Sequence, residues 1–201
     1  MHRLLTIAAL VLSLGISSAE AAKRVALVIG NDSYKSLPDL NNARTDARGM
    51  AAKLKELGCS VILRQDASHR DISRSLADFE GRLKDAEVGL VFYSGHGIQK
   101  DGANYHMASD ARIEVEEDLL LEGVEADQFL KTMERAGAPL NIVILDACRD
   151  NQLPKRSRSG ARRLSIPLIP KGIKGTATLY SAAPCFVSKS SVPGRATTRC
   201  G

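Results

Sequence analysis

The sequence predicts an α/β fold: a mainly parallel central sheet covered by helices on both faces. Two observations carry this. Apolar runs recur at 24–30, 87–93 and 140–148, too continuous for strands with one wet face, so these are strands buried on both sides. Between them lie segments with apolar residues at helical spacing, and strands that alternate with helices imply parallel crossovers.

Each element has its own signal. "RVALVIG" (24–30) is the first strand. "NARTDARGMAAKLKELG" (42–58) is a helix with Ala47, Met50, Leu54 and Leu57 on its inward face and Gly58 as its stop. "CSVILRQ" (59–65) is the next strand. "SHRDISRSLADFEGRL" (68–83) opens on a Ser cap and turns Ile72, Leu76, Phe79 and Leu83 to one side. "EVGLVFY" (87–93) is a strand that ends just before Ser94-Gly95-His96-Gly97. "NYHMASDARIEVEEDLLLEG" reads as a small hairpin and loop, "EADQFLKTMERAG" (125–137) as a helix, "LNIVILDAC" (140–148) as a strand and "GTATLYSAA" (175–183) as the last strand. There is no internal repeat and no P-loop, and no Gly-x-Gly-x-x-Gly follows the first strand.

Composition narrows the function class. Hydrophobic residues make up 44% of the chain and charged ones 25%, as in an ordinary globular protein. The net charge of +5 is modest, and the basic residues do not gather on one helix face. With 4% aromatic residues the chain lacks stacking platforms for single strands, so no nucleic-acid partner is expected.

The first residues, "MHRLLTIAALVLSLGISSAEAA", have the layout of a signal peptide. Arg3 precedes an apolar core from Leu4 to Ile16, and Ala19-Glu20-Ala21 fits the small-x-small cleavage rule. The core is shorter than the roughly 20 residues of a spanning helix, so no membrane association is expected after cleavage. This gives a signal peptide at 1–21, a single domain at 22–184 and an atypical tail at 185–201.

The four cysteines of an exported chain invite disulfides. Cys59 lies in a strand pattern and Cys148 in a motif that needs a free thiol, while Cys185 and Cys200 could pair with each other. The count does not decide the matter.

In parallel sheets ligands bind beyond the carboxyl ends of the strands. Two chemically loaded segments fall there, "SGHG" (94–97) and "DACRDN" (146–151), with His96 and Cys148 52 residues apart. A thiol attacks as thiolate and needs a neighbour to take its proton, which an imidazole does near neutral pH. Gly95 and Gly97 let the backbone turn and approach a substrate closely. The amides of Gly97 and Cys148 are candidate oxyanion donors.

A strand running into "YSGHG", followed by a strand running into "DACRDN", resembles the caspase-like cysteine peptidases (peptidase C14), specifically the bacterial metacaspase or orthocaspase-like branch. The resemblance covers 24–184, including "RVALVIGNDSYKSLPDLNNARTDARGMAAKLKELG" and "DGANYHMASDAR". It implies a three-layer α/β/α sandwich, a Cys148 acyl-enzyme with His96 as acid/base, and a bacterial periplasmic or extracellular location. Asp146 stands where animal caspases carry glutamine, which implies protein or peptide substrates with Arg or Lys before the cleaved bond. Asp46 matches a second acidic position of that pocket, and Ser94 lines it.

Other features are secondary. Lys155, Arg156, Arg158, Arg162 and Arg163 lie among Ser, Gly and Pro, an exposed basic loop and a candidate self-processing site. His69 and His106 are read as incidental. No spacing suggests zinc or another metal site. Some metacaspases need calcium, and that requirement is left open, as is the choice between monomer and weak dimer.

The tail "CFVSKSSVPGRATTRCG" (185–201) has lost apolar periodicity and reads as coil. Relatives carry a longer segment there that completes the substrate cleft, so the tail reads as a truncated or frame-shifted family end. That keeps a second function class in view: a caspase-like domain without a competent cleft, acting as a remnant or interaction module.

Overall fold

In the computed structural model, residues 22–148, 176–181, 185–189 and 196–200 are described. The first strand shows why its apolar run is unbroken. In β1 (Arg24–Gly30), successive side chains point to opposite faces. Val25, Leu27 and Ile29 enter one core, Ala26 and Val28 another. Five strands lie side by side in parallel: β2 (Cys59–Gln65), β1, β3 (Val88–Lys100), β6 (Leu140–Cys148) and β7 (Thr176–Ser181), in that order.

Helices cover both faces. On one side α1 (Ala43–Glu56) packs Ala47, Ala51 and Leu54 against Ala26, Val28, Leu90 and Phe92. On the other, α2 (His69–Leu83) brings Ile72, Leu76, Phe79 and Leu83 onto the sheet. They meet Phe129, Leu130 and Met133 of α4 (Ala126–Ala136) there. The expected three-layer sandwich is therefore the observed one. Ser68 caps α2 as its sequence implies: its Oγ accepts the Asp71 N–H at 3.1 Å, and the Asp71 carboxylate accepts the Ser68 N–H at 3.2 Å, a reciprocal capping box.

The inward face of α1 departs from expectation. Ala47 and Leu54 are buried as expected, but Leu57 is 54% exposed, and Ala43 and Ala51 join the buried stripe. Close approach explains the small residues at the start of the helix. A Cβ on Gly30 would collide with the Ala43 carbonyl and the Ala47 methyl, so the helix end nearest β1 has room only for small side chains.

The second departure concerns the site. β3 does not stop at Tyr93 but continues to Lys100. Its pairing with β1 ends at Ser94 and its pairing with β6 at His96. From Gly97 it pairs antiparallel with β4 (Ala103–Met107) across a tight turn at Asp101-Gly102. β5 (Gly123–Glu125) extends this antiparallel flap, after a single 3-10 turn (Glu116–Asp118) and the short α3 (Leu119–Glu122). The segment read as a small hairpin therefore takes β3 itself as its first arm.

The third departure is the tail. β8 (Cys185–Lys189) and β9 (Ala196–Cys200) pair antiparallel as a separate two-stranded sheet where coil was expected. Phe186, Val187, Thr197 and Thr198 favour extended backbone, a preference masked by the segment's polarity. The expected signal peptide at 1–21 and the expected basic loop with Lys155, Arg156, Arg158, Arg162 and Arg163 lie outside the described residues.

Candidate active site

One row crosses four strands where β1 and β7 end: Gly30, Ser94, Asp146 and Ser181 are register partners across β1, β3, β6 and β7. Two residues further on, His96 is the register partner of Cys148. The two positions thus stand one strand spacing apart, about 4.8 Å. His96 sits where β3 exchanges a parallel neighbour for an antiparallel one. The backbone is held by hydrogen bonds on both sides of the residue, which makes it a rigid support.

The imidazole is 4% exposed. Its Nε2 lies 2.7 Å from the Pro38 carbonyl. A carbonyl can only accept, so Nε2 carries the proton and Nδ1 of the neutral ring keeps its lone pair. Burial pushes the His96 pKa down, opposed by the Pro38 carbonyl and the charge of Asp39. A neutral ring with a free Nδ1 can take a proton.

Two tyrosines fix the peptide units around it. The His96 N–H donates to the Tyr34 hydroxyl at 3.0 Å, and that hydroxyl donates to the Asn31 carbonyl at 3.0 Å. The Tyr34 and His96 rings lie 4.7 Å apart, tilted at 56°. The Tyr93 hydroxyl is 2.9 Å from the carbonyls of both His96 and Met107. Burial raises the pKa of both phenols, so they stay protonated donors. Gly95 owes its identity to these hydroxyls: a Cβ there, at φ 157°, would lie 2.6 Å from each. Internal packing by itself demands this glycine.

Pro38 and Tyr34 belong to the loop between β1 and α1. Asn31 anchors that loop: its Oδ1 accepts the Ala67 N–H at 2.8 Å and its Nδ2 donates to the Met107 carbonyl at 3.1 Å. Arg44 adds a clamp, its Nε 3.0 Å from Asp32 and its Nη1 2.9 Å from Asp66.

The acidic candidates come together as well. Asp46 sits in the first turn of α1. Its pKa is raised, first by partial burial and then by the charges of Asp146 and Asp32. Asp46 and Asp146 therefore share one electrostatic neighbourhood although they lie 100 residues apart. Ser94 is 4% exposed between Gly30 and Asp146. Gly97 is buried opposite His106. His69 opens α2, where its N–H donates to Asp110 at 2.8 Å. Sequence reasoning missed Pro38, Tyr34 and the second role of Tyr93. Pro38 acts through a carbonyl that every residue possesses, and no side-chain pattern could have marked it.

The model of the caspase-domain peptidase family, peptidase C14, matches residues 23–200. The chain belongs to this family. Among similar proteins, the human mucosa-associated lymphoid tissue lymphoma translocation protein 1 is 28% identical over 129 residues, covering 64% of this chain and 15% of that one. Caspase-12 of Mus musculus is 32% identical over 85 residues, 41% of this chain and 20% of its own. Caspase-1 of Sus scrofa is 33% identical over 78 residues, 38% of this chain and 19% of its own. The chain thus spans only 15% to 20% of the length of these relatives. A crystal structure of a Geobacter sulfurreducens protein matches with a TM-score of 0.50 at 19% identity, covering 63% of this chain and 50% of that one, a likeness of fold. Caspase-domain peptidases act on protein substrates. Among the described residues no group of three or more His, Cys, Asp or Glu is placed to hold a metal ion.

Proposed function

We propose that this chain is an exported cysteine endopeptidase that cleaves after Arg or Lys. One observation carries the reading: His96 and Cys148 are register partners, and the Pro38 carbonyl leaves Nδ1 of His96 as the basic nitrogen. Nδ1 takes the Cys148 thiol proton, and the thiolate attacks the substrate carbonyl. The oxyanion of the tetrahedral intermediate receives the amides of Gly97 and Cys148. Collapse returns the proton from His96 to the departing amine and leaves an acyl-enzyme. Water, deprotonated by His96, then releases the acid and restores the thiol.

Asp46 and Asp146, with Ser94 beside them, hold the cationic side chain. Their mutual repulsion is relieved when a guanidinium or ammonium arrives, which favours Arg and Lys over Asp. Lys155, Arg156, Arg158, Arg162 and Arg163 then become candidates for cleavage by the enzyme itself.

The deciding experiment is hydrolysis of fluorogenic peptide amides carrying Arg, Lys or Asp before the scissile bond. Wild type is compared with Cys148→Ala, with and without calcium. Release after Arg or Lys, abolished in the variant, is the expected result. Release after Asp alone would overturn the acidic pocket. One observation favours a second reading, a domain without a competent cleft: β8 and β9 pair with each other rather than with β7. A folded chain silent on all three substrates would select it.

A further inference from the structure

We propose that Cys185 and Cys200 form a disulfide that closes the terminal hairpin and withdraws both thiols from reach of Cys148. Pairing in β8 and β9 begins and ends on this couple: Cys185 is the register partner of Cys200, and the ladder then runs inward to Lys189 and Ala196. Residues directly opposite in an antiparallel pair have Cα atoms about 4.5 or 5.5 Å apart, depending on the pair type. Both values fall within the roughly 4.4–6.8 Å that a disulfide spans. The two cysteines are fifteen positions apart in sequence, and only this register sets them face to face. A slip by one residue would oppose Cys185 to Arg199.

The hairpin also has physical need of a cross-link. Among the described residues β8 and β9 pair only with each other, and an isolated two-stranded ladder is marginal in water. A bond at the open end of the hairpin removes conformational freedom from the unpaired chain. The other thiols are poor alternatives. Cys59 lies on β2, at the far edge of the parallel sheet from β7, where the tail departs. Cys148 is the nucleophile of the proposed function, and the protective part of this inference rests on that reading. An unpaired Cys185 or Cys200 on the segment that follows β7 would be a resolving thiol for Cys148, and such a disulfide would abolish the nucleophile.

The bond forms by exchange with a small-molecule disulfide such as oxidised glutathione. One cysteine thiolate displaces a glutathione thiolate and becomes a mixed disulfide. The second cysteine thiolate then displaces the other glutathione. Two cysteine thiols are oxidised, two glutathione thiols are formed, and protons balance.

The test is peptide mapping of the wild-type chain after equilibration with oxidised glutathione and alkylation in the native state. A Cys185–Cys200 linked peptide, two hydrogens lighter than the separate peptides, with Cys59 and Cys148 alkylated, is the expected result. Four alkylated cysteines, or Cys148 linked to either tail cysteine, would overturn it. This map needs no activity, so it decides the pairing even if the peptidase reading fails. Where activity is found, Cys185→Ser and Cys200→Ser should each lose it under oxidising conditions and regain it with dithiothreitol. The double variant should keep it throughout. Single variants indifferent to oxidant would remove the protective role.

Discussion

His96 is held from four directions: Pro38 on Nε2, Tyr34 on its N–H and ring face, Tyr93 on its carbonyl, and β6 alongside. Such a ring cannot tolerate crowding next to it. Gly95→Ala would thrust a methyl group into both tyrosine hydroxyls. Overpacking of this kind costs about 1–3 kcal/mol. The variant should show a lower urea midpoint and greatly reduced peptide hydrolysis. Full stability with full activity would mean that the two hydroxyls do not hold the histidine. The acidic pair makes a separate prediction. Asp46 has a raised pKa, first from partial burial and then from Asp146 and Asp32, so its ionisation is displaced upward, and the preference for a cationic side chain should strengthen as pH rises through its titration. The ratio of kcat/KM for Arg over neutral citrulline isolates this, because His96 affects both substrates alike. Asp146→Asn removes one of the charges that oppose ionisation, so the rise should move to lower pH while its plateau falls. A ratio independent of pH would separate Asp46 from substrate binding.

At the scale of elements, the site is a meeting of loops on strand ends, and Asn31 is the tie. It joins the end of β1 to Ala67, before α2, and to Met107, at the end of β4. The side chain is fully buried, so Asn31→Ala leaves the Ala67 N–H without this partner, while the Met107 carbonyl keeps the Tyr93 hydroxyl. An unpaired buried group costs roughly 1–3 kcal/mol. The loss expected by urea denaturation is therefore about 1–3 kcal/mol, with activity falling further than stability because the Pro38 loop is released as well. A change within the noise of a surface substitution would show that the loop is anchored by Arg44 and its two aspartates instead.

For the whole molecule, what was legible followed from periodicity. The strands β1, β2 and β6 and the Ser68 cap of α2 stand where the apolar pattern and the cap residue put them. Two things escaped because partners far away in sequence decide them. β3 runs through "SGHG" because β4 supplies a neighbour once β1 and β6 end, and Ala43 joins the inward face of α1 because Gly30 seats the first turns of that helix close against the sheet. His106, read as incidental to function, is a buried titratable group that bears on the acid response of the fold. It is 2% exposed, between the rings of Tyr93 and Phe129 at 4.6 and 5.7 Å, with Nδ1 unpaired among the described residues. Burial drives its pKa down to about 4, against a weaker opposing bond to the Val124 backbone. The folded state therefore binds fewer protons than the unfolded one, in which histidine titrates near 6.5. The stability held by this neutral ring is complete above pH 6.5 and is lost as pH falls from 6.5 towards 4, a span of about 3 kcal/mol. Burial lowers His96 too, and its contribution has the same sign. The lowered carboxyls of Asp71, Glu80 and Asp118 act at the acid end of this window and below it, since their stabilisation fades only as pH falls through the carboxylate range. His106→Phe keeps the ring packing and removes the titration. Its unfolding free energy should fall less steeply than wild type between pH 6.5 and 4, so that the variant gains on wild type as acid is added. Parallel curves across that interval would show that His106 is not the buried neutral group described here.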